Sequence, residues 1–210
     1  MTRRTENVSR TASSRFRAWR VALILLLAPM LGACAGSSSI PRSQNNVCAI
    51  FAQKPEWRRV TSKVEREFGA PTAVQMAVIW KESSFRHNAR PPRRYFLGLI
   101  PGKRASSAYG YSQALDGTWA WYLKDTGRSR LFAQRDDFED AAHFVGWYMD
   151  KTRRKNGVAM GDAVSQYLAY HEGHGGYSRG SYRSKRWLLH AARKVGNMAN
   201  VYNSQLRRCG

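Results

Sequence analysis

One stretch of the chain leaves little freedom for its fold. From residue 72 to about residue 83, the side chains of Val74, Met76, Ala77, Val78, Ile79 and Trp80 put apolar surface on nearly every side of a helix. Such a helix has no face to give to water, so it must run through the centre of a domain with other elements packed around it. Its flanks agree: Gly69 stands where a preceding helix would end, and Pro71 suits a first helical turn. Ahead of it, Trp57, Val60, Val64 and Phe68 recur at steps of three and four, the period of an amphipathic helix. Further helical patterns cover about residues 115–125, 138–152, 162–171 and 182–206. Residues 85–109, with Pro91, Pro92, Pro101, Gly102 and many arginines, read as a long irregular surface loop. No alternating strand pattern of useful length and no internal repeat occurs, and 210 residues suit one domain plus a leader. The chain therefore reads as a single all-α domain.

The leader is legible in the N-terminal residues. Arg3, Arg4, Arg10, Arg15, Arg17 and Arg20 precede an apolar run over residues 21–30 that ends in small residues, the layout of a secretory signal. The run is shorter than the ~20 residues that cross a bilayer, which makes a permanent span the weaker alternative. Leu31-Gly32-Ala33-Cys34 resembles the bacterial lipoprotein box, which implies lipidation of Cys34 and a mature chain that begins there. An ordinary secretory signal with a cysteine near its cut site is the alternative. Ala35 is not the aspartate that retains such lipoproteins in the inner membrane, so the expected location is the periplasmic face of the outer membrane. The organisation that follows is a signal peptide over residues 1–33, a Gly/Ser-rich flexible tether over 34–46 and a folded domain over 47–210. With Cys34 taken by lipid, Cys48 and Cys209 remain near the two ends of the domain in an oxidising compartment. A disulfide between them would close a long loop and contribute about 4–5 kcal/mol; two free thiols are the alternative.

Charge narrows the partners. The 35 Lys and Arg against 14 Asp and Glu give +21, and removal of residues 1–33 takes six arginines and one glutamate, leaving +16 on the folded part. An anionic partner is implied: nucleic acid, a lipid headgroup surface or an acidic polymer. An exported chain without a recognition-helix or zinc-finger signature is a poor nucleic-acid binder, so no nucleic acid is expected.

Glu82 is the first candidate for chemistry. A carboxyl following Val78-Ile79-Trp80 at the negative end of a helix resists ionisation on both counts. A carboxylic acid that keeps its proton near neutral pH can donate it to a glycosidic oxygen. Taken alone, a glutamate beside Lys81 reads as a solvated helix end. Three blocks in order change that reading: Glu82-Ser83, then Gly110-Tyr111-Ser112-Gln113, then Ala169-Tyr170-His171.

These blocks resemble the signature of the soluble-lytic-transglycosylase-like family, whose domains read Glu-Ser, Gly-Leu-Met-Gln and Ala-Tyr-Asn at similar spacings. The similarity spans about residues 55–180. It implies a lysozyme-like fold of the goose-type or SLT kind, peptidoglycan glycan strands as substrate and no cofactor. Glu82 matches the single catalytic acid/base, and Ser83 the neighbouring hydroxyl that helps place the sugar. Gly110, Tyr111 and Gln113 fall on the loop lining the cleft. Tyr170 matches the tyrosine that reaches toward the acid, with His171 beside it in the substrate-binding set. Tyr111-Ser112 in place of Leu-Met and His171 in place of Asn are departures that bear on the sugar subsite. In such enzymes one carboxyl protonates the oxygen leaving N-acetylmuramic acid and then takes the proton of that sugar's own C6 hydroxyl, giving an anhydro end. Hydrolytic glycosidases use two carboxylates. Asp116, Asp136, Asp137, Glu139, Asp140 and Glu172 are the acids that would have to supply a second.

Tyr95, Tyr109, Tyr111, Trp119, Tyr170 and Tyr177 are candidates for stacking on sugar rings, whereas Trp57, Trp80, Trp147 and Trp187 at helical spacing read as core. His171, Glu172 and His174 are metal-ligand types, but their spacing of three and the glycines after them argue for a cleft-edge turn and no metal. Arg86, Arg90, Arg93, Arg94, Lys103 and Arg104 bind muramyl-peptide carboxylates or form a solvated basic surface. The chain shows no oligomer signature and is expected to be a monomer. A lysozyme-type hydrolase and a catalytically inactive wall-binding scaffold are the competing functions.

Overall fold

The computed structural model describes residues 39–96 and 99–209. The expected leader over residues 1–33 and the expected lipidation site Cys34 lie outside the described residues. In chain order the elements are α1 (Val47–Gln53), α2 (Pro55–Phe68), α3 (Thr72–Ser83), β1 (Arg93–Phe96), β2 (Ile100–Arg104), α4 (Asp116–Thr126), α5 (Phe138–Asn156), α6 (Ala163–Ser178) and α7 (Arg186–Cys209). The domain is all-α apart from one small hairpin.

Helix α3 runs where its composition requires. Thr72 through Ile79 are all buried, and α7, α2 and α5 pack around it. Each buried Val, Ile or Met side chain contributes roughly 1.5–3 kcal/mol relative to exposure. Polar groups fix its start: the Glu65 carboxylate accepts from Thr72 N and Oγ1 at 3.0 and 2.7 Å. The buried Gln75 amide donates to Thr61 O and Ala70 O at 3.0 and 2.7 Å, locking α3 to α2. Helices α5 and α6 begin at aspartate caps, Asp137 accepting from Asp140 N and Asp162 from Ser165 N.

Four differences from the expected layout have local causes. Residues 39–46 are not all free tether: Arg42 N donates to Gln53 Oε1 at 3.2 Å, Gln205 Nε2 donates to Asn45 O at 3.0 Å, and the Tyr202 hydroxyl donates to Gln44 O. Helix α1 then starts at an Asn46 cap whose side chain accepts from Ala49 N. The expected irregular loop contains the antiparallel pair β1 and β2, with Arg93 opposite Arg104 and an irregular register before Tyr95. Helix α6 does not stop at His171; it kinks at Gly173, where φ is 72° and ψ 157°, and continues to Ser178. The expected disulfide between Cys48 and Cys209 is present, spanning 161 residues and closing α1 onto the end of α7.

Candidate active site

Glu82 sits in the last turn of α3, and the helix ends just beyond it in a strained turn. Ser84 and Phe85 both have positive φ, 52° and 58°, a backbone state that costs of order 1–3 kcal/mol per non-glycine residue. Burial offsets the strain: Phe85 is fully buried, with its ring 5.6 Å from that of Trp57. Arg86 closes the turn, its N and Nε donating to Ser83 O at 3.1 Å. The acid is thus held at the end of a rigid core helix rather than on a mobile loop.

The Glu82 residue is half-buried, but its carboxyl is enclosed, and this desolvation pushes its pKa up to about 7. Two smaller influences oppose the rise: a hydrogen bond from Tyr167 and the charge of Lys81. No carboxylate figures among the groups acting on it. Tyr167, on α6, is 4% exposed, and its phenol is pushed well above the usual range by burial and by the Glu82 charge.

Tyr170, expected to reach toward the acid, makes its hydrogen bond elsewhere, and a tyrosine without an expected role acts on Glu82. The Tyr170 hydroxyl donates to Ser112 O at 2.6 Å, and Tyr167 is the phenol that bonds Glu82. Tyr170 still senses the Glu82 charge, which together with burial raises its own pKa. Tyr167 lies outside the three sequence blocks. The signal for it was available, because residues three apart on a helix share a face. Tyr167→Phe should lower kcat/KM about tenfold, the worth of one hydrogen bond to a reacting group. It should also move the alkaline limb of the pH profile to higher pH, because the bond it removes is one that lowers the Glu82 pKa. A purely structural residue would leave that limb in place.

The loop over residues 109–114 faces this helix end. Tyr109 and Ala114 pair across its neck, Gly110 N donates to Ala89 O, and Tyr111 N donates to Arg135 O. Gly110 has φ 77°, and a Cβ there would lie 1.9 Å from Arg135 O. The close approach that needs glycine is thus to the neighbouring backbone. Gln113 sits at φ 51° and spends its Nε2 on Ala89 O and Gly110 O at 2.9 and 2.8 Å. Only its Oε1 is left to accept a hydrogen bond from a ligand.

Two expected sugar contacts are corrected by burial. Ser83 is 1% exposed and its hydroxyl donates back to Ile79 O at 3.1 Å, so it has no surface to offer a ligand. Tyr111 is 5% exposed and packs edge-on against Trp57 and Phe138, with ring centroids 5.6 and 5.4 Å away. An aromatic between two small residues has been drawn into the core. Trp119 is likewise buried, against Tyr122 and Phe144. The Tyr95 side chain lies outside the described set. Tyr109 donates to Asp136 at 2.7 Å and carries the Arg90 guanidinium over its ring at 4.0 Å. Tyr177 stacks on Tyr182 at 5.2 Å.

His171 is exposed and lines a cavity of about 220 Å³ together with Gln113, Leu115, Thr118, Tyr170 and Gly173. His174 turns elsewhere, its Nε2 3.1 Å from Thr152 Oγ1 and its ring stacked on Tyr148, where burial lowers its pKa to about 4. Among the described residues no group of three or more His, Cys, Asp or Glu side chains converges on one point.

The other carboxylates are committed to structure. Asp116 pairs with Arg135, Glu139 with Lys63, Asp140 with Arg128, and Asp137 caps α5. Asp136 accepts from Tyr109. Glu172 is held by Lys185 at 2.8 Å and by Ser181, which keep its pKa low. What the site offers is one enclosed carboxyl at the end of a core helix, with its pKa raised to about 7 by burial.

Comparison with curated proteins gives no match. The profile of the family described as "Transglycosylase SLT domain" matches residues 22–209, nearly the whole chain and every element of this site, and the chain therefore belongs to that family.

Proposed function

We propose that the protein is a peptidoglycan lytic transglycosylase that cleaves the β-1,4 bond between N-acetylmuramic acid and N-acetylglucosamine, with Glu82 as its single acid/base. The observation that carries this reading is the Glu82 carboxyl itself, desolvated to a pKa of about 7 and without an acidic neighbour among the groups acting on it. In the first step the protonated acid donates to the departing glycosidic oxygen. As carboxylate it then takes the proton of the C6 hydroxyl of the muramyl sugar, whose oxygen closes on C1. A pKa of about 7 suits one group to both transfers near neutral pH. Membership of the SLT family supports a glycan substrate, and the lack of a carboxylate among the described groups that shift the Glu82 pKa supports internal attack over attack by water.

The excess of basic residues supports attraction to an anionic polymer. The sequence around Cys34 supports tethering by lipid to the periplasmic face of the outer membrane, with the glycan strands of the wall as the macromolecular partner. Digestion of purified sacculi, with the released muropeptides weighed by mass spectrometry, tests the reading. Anhydromuramic ends are expected. Reducing ends would make the protein a hydrolase, and no release would leave a wall-binding scaffold.

A further inference from the structure

Trp187 differs from the tryptophans around it. Trp57, Trp119 and Trp147 are buried and Trp80 and Trp121 are partly covered, whereas Trp187, in the first turn of α7, is 59% exposed. The buried stripe of α7 runs through Leu188, Ala191, Ala192 and Val195, and Trp187 stands one position off it. A lone exposed aromatic is ordinary on a protein surface. The surroundings of this one are not.

Its ring meets the His171 imidazole edge-on, with centroids 4.9 Å apart and planes at 76°. His171 is itself tied, its Nδ1 lying 3.4 Å from Glu172 Oε1. The Glu172 carboxylate takes Lys185 Nζ at 2.8 and 2.9 Å and the Ser181 hydroxyl as well. The segment joining α6 to α7 is thereby bound back to α6 just before Trp187, so the indole is set in place before any ligand arrives. His171 also lines the 220 Å³ cavity with Gln113 and Tyr170, and Tyr170 feels the charge of Glu82. From the cavity wall that Tyr170 and His171 share, His171 leads on to the open indole.

The geometry points to Trp187 as a stacking platform for an N-acetylated hexose of the glycan strand, at a subsite away from the bond being cut; this rests on the glycan-cleaving reading above. The apolar C–H face of a pyranose matches an indole face, and a tryptophan already held in place loses little conformational freedom on binding. The contact is uncharged and so adds affinity that salt does not screen, unlike the general attraction of a basic surface.

The test measures binding of full-length Glu82→Gln protein, which does not degrade its ligand, to glycan strands freed of stem peptides. It is run at about 1 M salt, where screening falls to ~3 Å. Adding Trp187→Ala should weaken binding at least about tenfold, while adding Trp187→Phe should keep it within about threefold, the ring being retained. The thermal melt should be the same for all three proteins, since the ring is mostly in water. Equal binding with and without the indole would overturn the assignment, and so would a loss seen only on strands that keep their peptides. Failure of the Glu82→Gln parent itself to bind strands would instead refute the glycan reading, and this subsite with it.

Discussion

Glu82→Gln should lower strand cleavage at least about a thousandfold, because loss of general acid and general base action together removes both proton transfers. The amide is nearly isosteric with the neutral acid and can still receive the Tyr167 hydrogen bond. Folding and strand binding should therefore survive, and the measurement is turnover of sacculi beside a binding assay on the same preparation. Residual cutting within tenfold of the wild type would remove Glu82 from the mechanism.

The same substitution should stabilise the protein, and the sign follows from proton linkage. The Glu82 pKa is raised from 4.5 to about 7 in the folded state, so between those values the native protein holds a proton that the unfolded chain has lost. Stability attributable to this group is full below pH 4.5, falls as pH rises toward 7 and is flat above. A shift of that size corresponds to about 3 kcal/mol. Glutamine escapes the penalty, so Glu82→Gln should match the wild type at pH 4 and melt higher at pH 8. On the proposed function, this is the trade between activity and stability of a reactive group kept in an unfavourable environment.

The second large effect concerns the disulfide. Cys48 and Cys209 are 161 residues apart in sequence, and closing a loop of that length restricts the unfolded chain by about 5 kcal/mol in the chain-entropy account. The native contacts beside the bond do not depend on it. Val47 N donates to Gln205 Oε1 at 2.8 Å, and Arg58 Nη1 donates to Cys209 O at 3.0 Å. The Cys48→Ala/Cys209→Ala protein should therefore fold to the same structure and unfold about 2 M earlier in urea, given slopes of about 1–3 kcal/mol per molar. A midpoint unchanged within about 0.5 M would mean that the unfolded chain already keeps its ends together.

The helices were legible because burial imposes a period on the sequence. The all-apolar run of α3 and the stepped residues of α2 fall where their patterns put them. What escaped was held by contacts of no fixed period. Helix α1 is only 7 residues long and is fixed by its cap and the disulfide. The β1/β2 hairpin contains Pro101 and Gly102 and no clean alternation. In the site, the blocks located the elements but not the direction of each side chain. A tyrosine beside a glycine reads equally as a cleft wall or a core plug, and Tyr111 plugs the core. Tyr167 went unread although it lies three residues before Tyr170 on the same helix, because the blocks stop short of it and its effect on Glu82 acts across two helices. Trp187 reads as core by spacing and lies outside by one helical step.

The left-handed pair after α3 has a consequence for how this protein tolerates change. Adding another helical turn there would lift Phe85 out from beside Trp57, so the end of the helix that carries Glu82 is fixed by a ring packed in the core. Sensitivity is thereby exported from the groove to the interior. Trimming Trp57, itself buried, would change the setting of Glu82 by letting the end of that helix drift.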